Sequence, residues 1–341
     1  MINKYVISRD DSIYEAWPDL VLMPSGKMIC VFSECTHHND RSFTRIMLTF
    51  SEDKGRTWSP KYALTEGTKG LPYFNTARIV HLKSGRYVVI VDKIHKNNEK
   101  GGEIILFFSD DECKTWSDPI DTPAYGIVPD KLLELECGRL IISCHEKDIE
   151  SGYLVQNLWY SDDQGINWSG PVIVGKQEGL NLCEVSILNV SDQTLVAFMR
   201  ENSMQGWDCF KSISNDNGET WSDLTKFPLP GCHRPVSGWL QNNQIMITYR
   251  FIQGGKRGFF GGHQNFFAAI TDKDSVLSSS RDECFTRILP IDFDRSPVSD
   301  TGYSGWVQFN DGEIYIANYI VDDAPKGQIR GYSLTMNDFL I

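Results

Sequence analysis

The chain has 341 residues, of which 41% are hydrophobic and 23% charged, the composition of a globular protein and not of a disordered or fibrous one. With 33 basic against 45 acidic residues the net charge is −12, which repels polyanions, and no Lys/Arg run supplies a local basic patch, so nucleic acid is not expected as a partner. No apolar run approaches the ~20 residues of a membrane span and no apolar leader follows Met1, so a cytoplasmic protein without membrane contact is expected.

Short apolar segments paired across polar turns run the length of the chain. The first pair is predicted at 19–23 and 27–32 about Gly26, and Ser-Glu-Asp-Lys-Gly-Arg-Thr-Trp follows at 51–58. A second pair at 77–82 and 87–92 about Gly85 precedes a similar octet at 109–116, where Cys113 replaces the glycine. The third pair, 131–135 and 140–144 about Gly138, precedes the octet 161–168. The fourth, 185–189 and 194–199 about Asp192, precedes the octet 214–221. A fifth pair at 236–240 and 244–249 turns at Asn243, and its octet is reduced to Thr271-Asp272-Lys273-Asp274 without a tryptophan. The sixth pair, 305–309 and 313–319 about Gly312, is followed by one more strand at 328–334.

The octets fit Ser-x-Asp-x-Gly-x-x-Trp, and their tryptophans lie 58, 52 and 53 residues apart. The pattern is that of a hairpin turn. Asp53, Asp111, Asp163 and Asp216 accept backbone N–H groups, and glycine tolerates positive φ. Trp58, Trp116, Trp168 and Trp221 fold back over apolar surface. Cys113 is expected either to make its turn less left-handed or to strain it. Six such units predict an all-β, six-bladed propeller of four-stranded antiparallel blades spanning 1–341. The sixth unit lacks a strand, which residues 5–8 can supply, closing the ring and removing two exposed edges.

Propeller geometry brings the starts of first strands and the ends of second strands to one funnel. Glu184, His233, Arg234, Arg78, Lys131 and Tyr303 stand at the starts, and His37, His38, Asp40, His95, His145, Arg200 and Arg250 at the ends. This gathering of acids, bases and cations points to a chemical site for a small-molecule or glycan ligand. Trp17, Trp207, Trp239, Trp306 and the phenylalanines of 259–267 are candidates for stacking on sugar rings. The nine scattered cysteines read as buried thiols of a reducing compartment. Without CxxC or HExxH, no metal site and no cofactor are expected.

In these motifs the chain resembles the sialidase superfamily, whose Ser-x-Asp-x-Gly-x-x-Trp turns are called Asp boxes. The resemblance implies a catalytic propeller in which Tyr303 attacks the anomeric carbon and Glu184 removes its proton. Asp40 is implied as acid/base, and Arg200 with Arg250 (or Arg257) as the carboxylate clamp. Ala16-Trp17-Pro18 stands where the family has an arginine, and Asn318-Tyr319-Ile320 where it has that arginine's supporting glutamate. Arg78, Arg234 or Lys131 is then expected to supply the missing charge for a different acidic sugar. Hydrolysis of a terminal glycoside is the leading expectation. A lyase or uronic- or deoxy-sugar glycosidase using the funnel histidines, and a non-catalytic carbohydrate-binding propeller, are the alternatives.

Overall fold

The computed structural model describes residues 2–95, 101–252 and 263–340. After a leading strand β1 (Asn3–Ser8), the chain builds six four-stranded antiparallel sheets. The first holds β2 (Tyr14–Leu22), β3 (Met28–His37), β4 (Asp40–Ser51) and β5 (Tyr62–Ala63). The second holds β6 (Tyr73–His81), β7 (Tyr87–Ile94), β8 (Gly102–Ser109) and β9 (Ile120–Gly126). The third comprises β10 (Leu133–Glu134), β11 (Leu140–Lys147), β12 (Leu154–Ser161) and β13 (Ser169–Gly175). The fourth comprises β14 (Leu182–Ser191), β15 (Thr194–Glu201), β16 (Asp208–Ser214) and β17 (Thr225–Pro230). In the fifth are β18 (Cys232–Trp239), β19 (Ile245–Ile252), β20 (Gln264–Thr271) and β21 (Arg287–Phe293). The sixth has β22 (Thr301–Gln308), β23 (Ile314–Ile320) and β24 (Gln328–Leu334), and β1 joins it beside β24. Each sheet packs on the next and β22 packs on β2, so the sheets are the blades of a closed propeller.

The cores lie between blades. Val21, Ile29 and Val31 of the first blade pack with Ala77, Ile79, Val89 and Val91 of the second. Each such side chain contributes roughly 1.5–3 kcal/mol on burial. Polar bonds add register. Asp19 accepts the Ile79 N–H at 2.9 Å and Asp130 accepts that of Ile187 at 2.8 Å, each reaching an adjacent blade's inner strand.

The boxes are built alike. At the first, Gly55 N donates to Ser51 Oγ at 2.8 Å, Thr57 N to Asp53 Oδ1 at 2.9 Å, and Trp58 Nε1 to Gly55 O at 3.2 Å. Trp168 and Trp221 repeat the indole bond, to Gly165 and Gly218. Cys113 keeps the left-handed turn with φ 64°, so the strained alternative holds, and Trp116 Nε1 is buried without a partner among the described residues. In the fifth blade the reduced box is a short helix, α1 (Lys273–Leu277), whose cap Asp272 accepts from Ser275 N. All nine cysteines are free and seven of them are buried.

In five blades the inner strand begins earlier than the apolar pattern suggests, whereas in the third it is only Leu133–Glu134, inside the predicted 131–135. In five blades the ladder slips between paired positions, at Ala16/Asp19, Phe74/Ala77, Cys183/Ser186, His233/Val236 and Thr301/Ser304. Such bulges break the two-residue alternation and re-aim side chains. Trp17, Glu184 and Arg234 sit within three of them at φ 55°, 49° and 48°. A non-glycine residue held there costs about 1–3 kcal/mol, and such strain gathers where side chains are being presented.

Candidate active site

The bulge of β14 carries Glu184, the end of β15 carries Arg200, the end of β19 carries Arg250 and the start of β22 carries Tyr303. All four are buried, Tyr303 and Arg200 being 7% and 6% exposed. The Tyr303 hydroxyl donates to Glu184 Oε1, and Arg200 Nη1 donates to the same oxygen at 2.6 Å. Glu184 Oε2 is buried without a partner among the described residues. The guanidinium carbons of Arg250 and Arg234 lie 4.9 and 5.7 Å from the Tyr303 ring centroid.

These neighbours set the protonation states. Burial opposes ionisation of Glu184, but the charges of Arg200 and Arg250 outweigh it and hold the carboxyl well below its usual range. Burial, reinforced by the Glu184 charge, pushes the Tyr303 phenol well above its ordinary value. The site therefore rests as a neutral phenol hydrogen-bonded to a carboxylate. Its two histidines are neutral as well. Burial lowers His145 to about 4, and burial with Arg200 and Arg250 takes His233 well below its ordinary value. His145 Nδ1 accepts the Glu184 N–H at 3.3 Å, which puts its proton on Nε2 and holds the bulge in place.

A second polar group adjoins the first. Asp300, three residues before Tyr303, accepts from Tyr14 at 2.5 Å, from Tyr319 at 2.6 Å and from His38. Arg250 donates to the Tyr319 hydroxyl at 2.8 Å and stands 3.8 Å from Asp300. Burial would raise the Asp300 carboxyl, but His38, Arg250 and Tyr14 together lower it to about 2. Beside it opens a cavity of about 470 Å³, lined in part by Tyr14, His37, His38, Asp300 and Lys326. Asp300, Tyr14 and Tyr319 were not among the residues expected from sequence. The one signal for Asp300 is its place in the connection entering the sixth blade.

Other expected residues fall elsewhere. Asp40 is exposed at the first position of β4, where its carboxylate accepts from Ser42 N at 2.8 Å. Trp306 lies farther along β22 and donates to Val236 O at 3.1 Å. It lines a separate cavity with Trp239, His81 and Lys131, so it does not join the Tyr303 group. Arg78 is buried inside the ring, donating to Ser304 O at 2.8 Å beside Asp19 while Nε and Nη2 have no hydrogen-bond partner among the described residues, and Lys131 pairs with Asp19 at 3.1 Å. Arg234 donates to Pro129 O at 2.9 Å and leaves Nε and Nη1 without partners among the described residues. Trp17 is buried, with Arg41 stacked 4.3 Å over its ring, and His95 pairs with Glu103 at 2.8 Å. Arg257, Phe259 and Phe260 lie outside the described residues.

A model of the BNR repeat-like domain matches residues 72–316. The chain belongs to that family. This BNR repeat-like protein is also 24% identical over 210 residues to a Clostridium perfringens sialidase, a match covering 54% of the chain and 53% of the relative, so the chain spans about half the length of that curated relative. Among solved structures, a Dyadobacter fermentans protein described as of unknown function superposes with TM-score 0.79 at 17% identity, over 98% of this chain and 99% of that one. A Hadza microbial sialidase gives 0.73 at 17% identity over 98% and 68%, and a Trypanosoma rangeli sialidase in complex with sialic acid 0.69 at 16% over 99% and 59%. At these identities the structural likeness shows the fold. The BNR repeat-like chain is thus a divergent relative of sialidases, built as a six-bladed propeller.

Proposed function

We propose that this protein is a sialidase-like exo-glycoside hydrolase acting on a terminal sugar. The hydrogen bond from Tyr303 to Glu184 carries the reading. A neutral phenol is a weak nucleophile and needs a base in contact with it. As the Tyr303 oxygen bonds to the anomeric carbon, its proton passes to Glu184. The guanidiniums beside the ring lower the cost of phenolate character on the way. Arg200 and Arg250 supply planar donors suited to a carboxylate, which makes an acidic sugar the expected class. The buried, donor-free Ala16 removes one cation from that clamp and supports a substrate other than sialic acid itself.

The test is release of aglycone from a panel of acidic and neutral glycosides, with Tyr303→Phe alongside. Turnover by the native chain that is lost in the variant supports the reading, and full turnover by Tyr303→Phe sinks it. The missing cation at Ala16 also favours a second reading, a glycan-binding propeller without turnover. Glycan-array binding without any product release, undisturbed in Glu184→Ala, is its signature.

A further inference from the structure

We propose that His38, oriented by Asp300, is the general acid/base of this site, and that the adjoining cavity receives the leaving group. The inference rests on the hydrolase reading above. The β3–β4 connection is a tight hairpin in which His37 pairs with Asp40, leaving His38 and Asn39 at its tip. That geometry sends the two candidate proton carriers opposite ways. Asp40 turns back on its own strand to Ser42, whereas His38 reaches across to Asp300. Asp300 is ionised, so it accepts, and the His38 proton on that side sits on Nδ1. Nε2 is then left to carry or take the catalytic proton, the division of labour an Asp–His pair imposes on an imidazole.

Position supports the role. The His38 side chain is 32% exposed and lines the 470 Å³ cavity, while Asp300 is only 14% exposed. Asp300 is also bonded to Tyr319, whose ring centroid is 6.1 Å from that of Tyr303, so the pair is anchored to the wall that holds the nucleophile. The groups around His38 among the described residues are Asp300, the rings of Tyr14 and Trp17, its neighbour His37, and Asp322 and Lys326 across the cavity, with Arg41 behind Trp17.

The steps balance. His38 gives its Nε2 proton to the glycosidic oxygen as the bond from that oxygen to the anomeric carbon breaks and the bond to Tyr303 forms, the phenolic proton going to Glu184. Water then loses a proton to His38 and bonds to the anomeric carbon. The Tyr303 oxygen departs and recovers its proton from Glu184.

The experiment compares 4-nitrophenyl and benzyl glycosides of N-acetylneuraminate, glucuronate and galactose by kcat/KM, which reports the first bond cleavage. A nitrophenolate leaves without protonation and a benzyl alkoxide does not. His38→Gln is expected to hold the nitrophenyl value within about 3-fold while the benzyl value falls about 10²–10⁴-fold. Asp300→Asn shifts the same ratio in the same direction. Tyr303→Phe loses both substrates, which separates this inference from the hydrolase reading. Equal losses on both substrates in folded His38→Gln and His38→Asn, or no loss on either, overturn the assignment. So does a leaving-group-selective loss in Asp40→Asn. Failure of the native chain to cleave any member of the panel overturns both readings.

Discussion

Tyr303 and Glu184 stand 119 positions apart in the chain and share one hydrogen bond at the centre of the ring. The contact joins the fourth blade to the sixth, so only closure of the propeller makes it. Removing the Tyr303 oxygen while keeping its ring isolates that contact. Tyr303→Phe is expected to lower kcat on the best glycoside by at least the 10²–10⁴-fold typical of a lost proton-transfer partner, and Glu184→Gln by about that range. Steady-state kinetics, with melting curves to verify folding, check both.

The Asp boxes set an acid limit. Hydrogen bonds from Thr57 hold Asp53 down to about 2, and those from Thr115 do the same for Asp111. Asp163 and Asp216 are lowered as well. A carboxyl depressed in the folded state contributes stability above its unfolded pKa of ~4, and that contribution is lost as pH falls through the folded value. The melting temperature is therefore expected to fall between about pH 4 and 2, and Asp53→Asn to flatten part of that slope.

His145 acts at higher pH. The unfolded chain binds its proton below ~6.5, whereas burial keeps the native imidazole neutral until about 4. Stability is expected to decline as pH falls across that interval, by about 1–3 kcal/mol. His145→Gln should remove this decline in urea titrations at pH 7 and pH 5, and an unchanged difference between the two would count against it.

Asp19 is a central structural acid. It is fully buried, accepts from Ile79 N, and faces Lys131 and Arg78. Asp19→Ala takes from buried Arg78 the stronger of its two counter-charges, leaving only Asp130, and is expected to cost up to about 3–5 kcal/mol in denaturant unfolding. Arg86→Ala, whose partner Asp110 is mostly exposed, should cost under about 1 kcal/mol.

Deleting residues 1–8 removes β1, the burial of Ile7 and the ladder to β24. A loss of about 3 kcal/mol or more is expected, from one buried isoleucine and an opened edge. Thermal melting and light scattering would register a lower midpoint and association through the bared β24.

Much of this architecture was legible because it is local. An Asp box encodes its own turn within eight residues, and Gly26 or Gly85 marks a hairpin wherever it falls. Glu184, Arg200 and Tyr303 were readable because each opens or closes an apolar strand. The bulges were not. Ala16–Asp19 and His233–Val236 break the alternation that a pattern search follows, so the predicted inner strands began three to five residues late. Asp272 looked like the remnant of a box turn but caps α1, because a short carboxylate serves both geometries. Asp300 escaped notice because its meaning depends on Tyr14, His38 and Tyr319, which come from three other segments. Trp306 stands three residues beyond Tyr303 on β22, which at ~3.3 Å each carries it about 10 Å farther along the strand.

The pairing of β1 with β24 has a consequence for biosynthesis. Of the propeller's strands the first to be made, β1, must wait for the last, β24, before it finds its hydrogen-bonding neighbour. Until β24 is made, that strand and the growing ring both present unpaired backbone, and a nascent polypeptide interrupted before Gln328 has no way to seal the propeller.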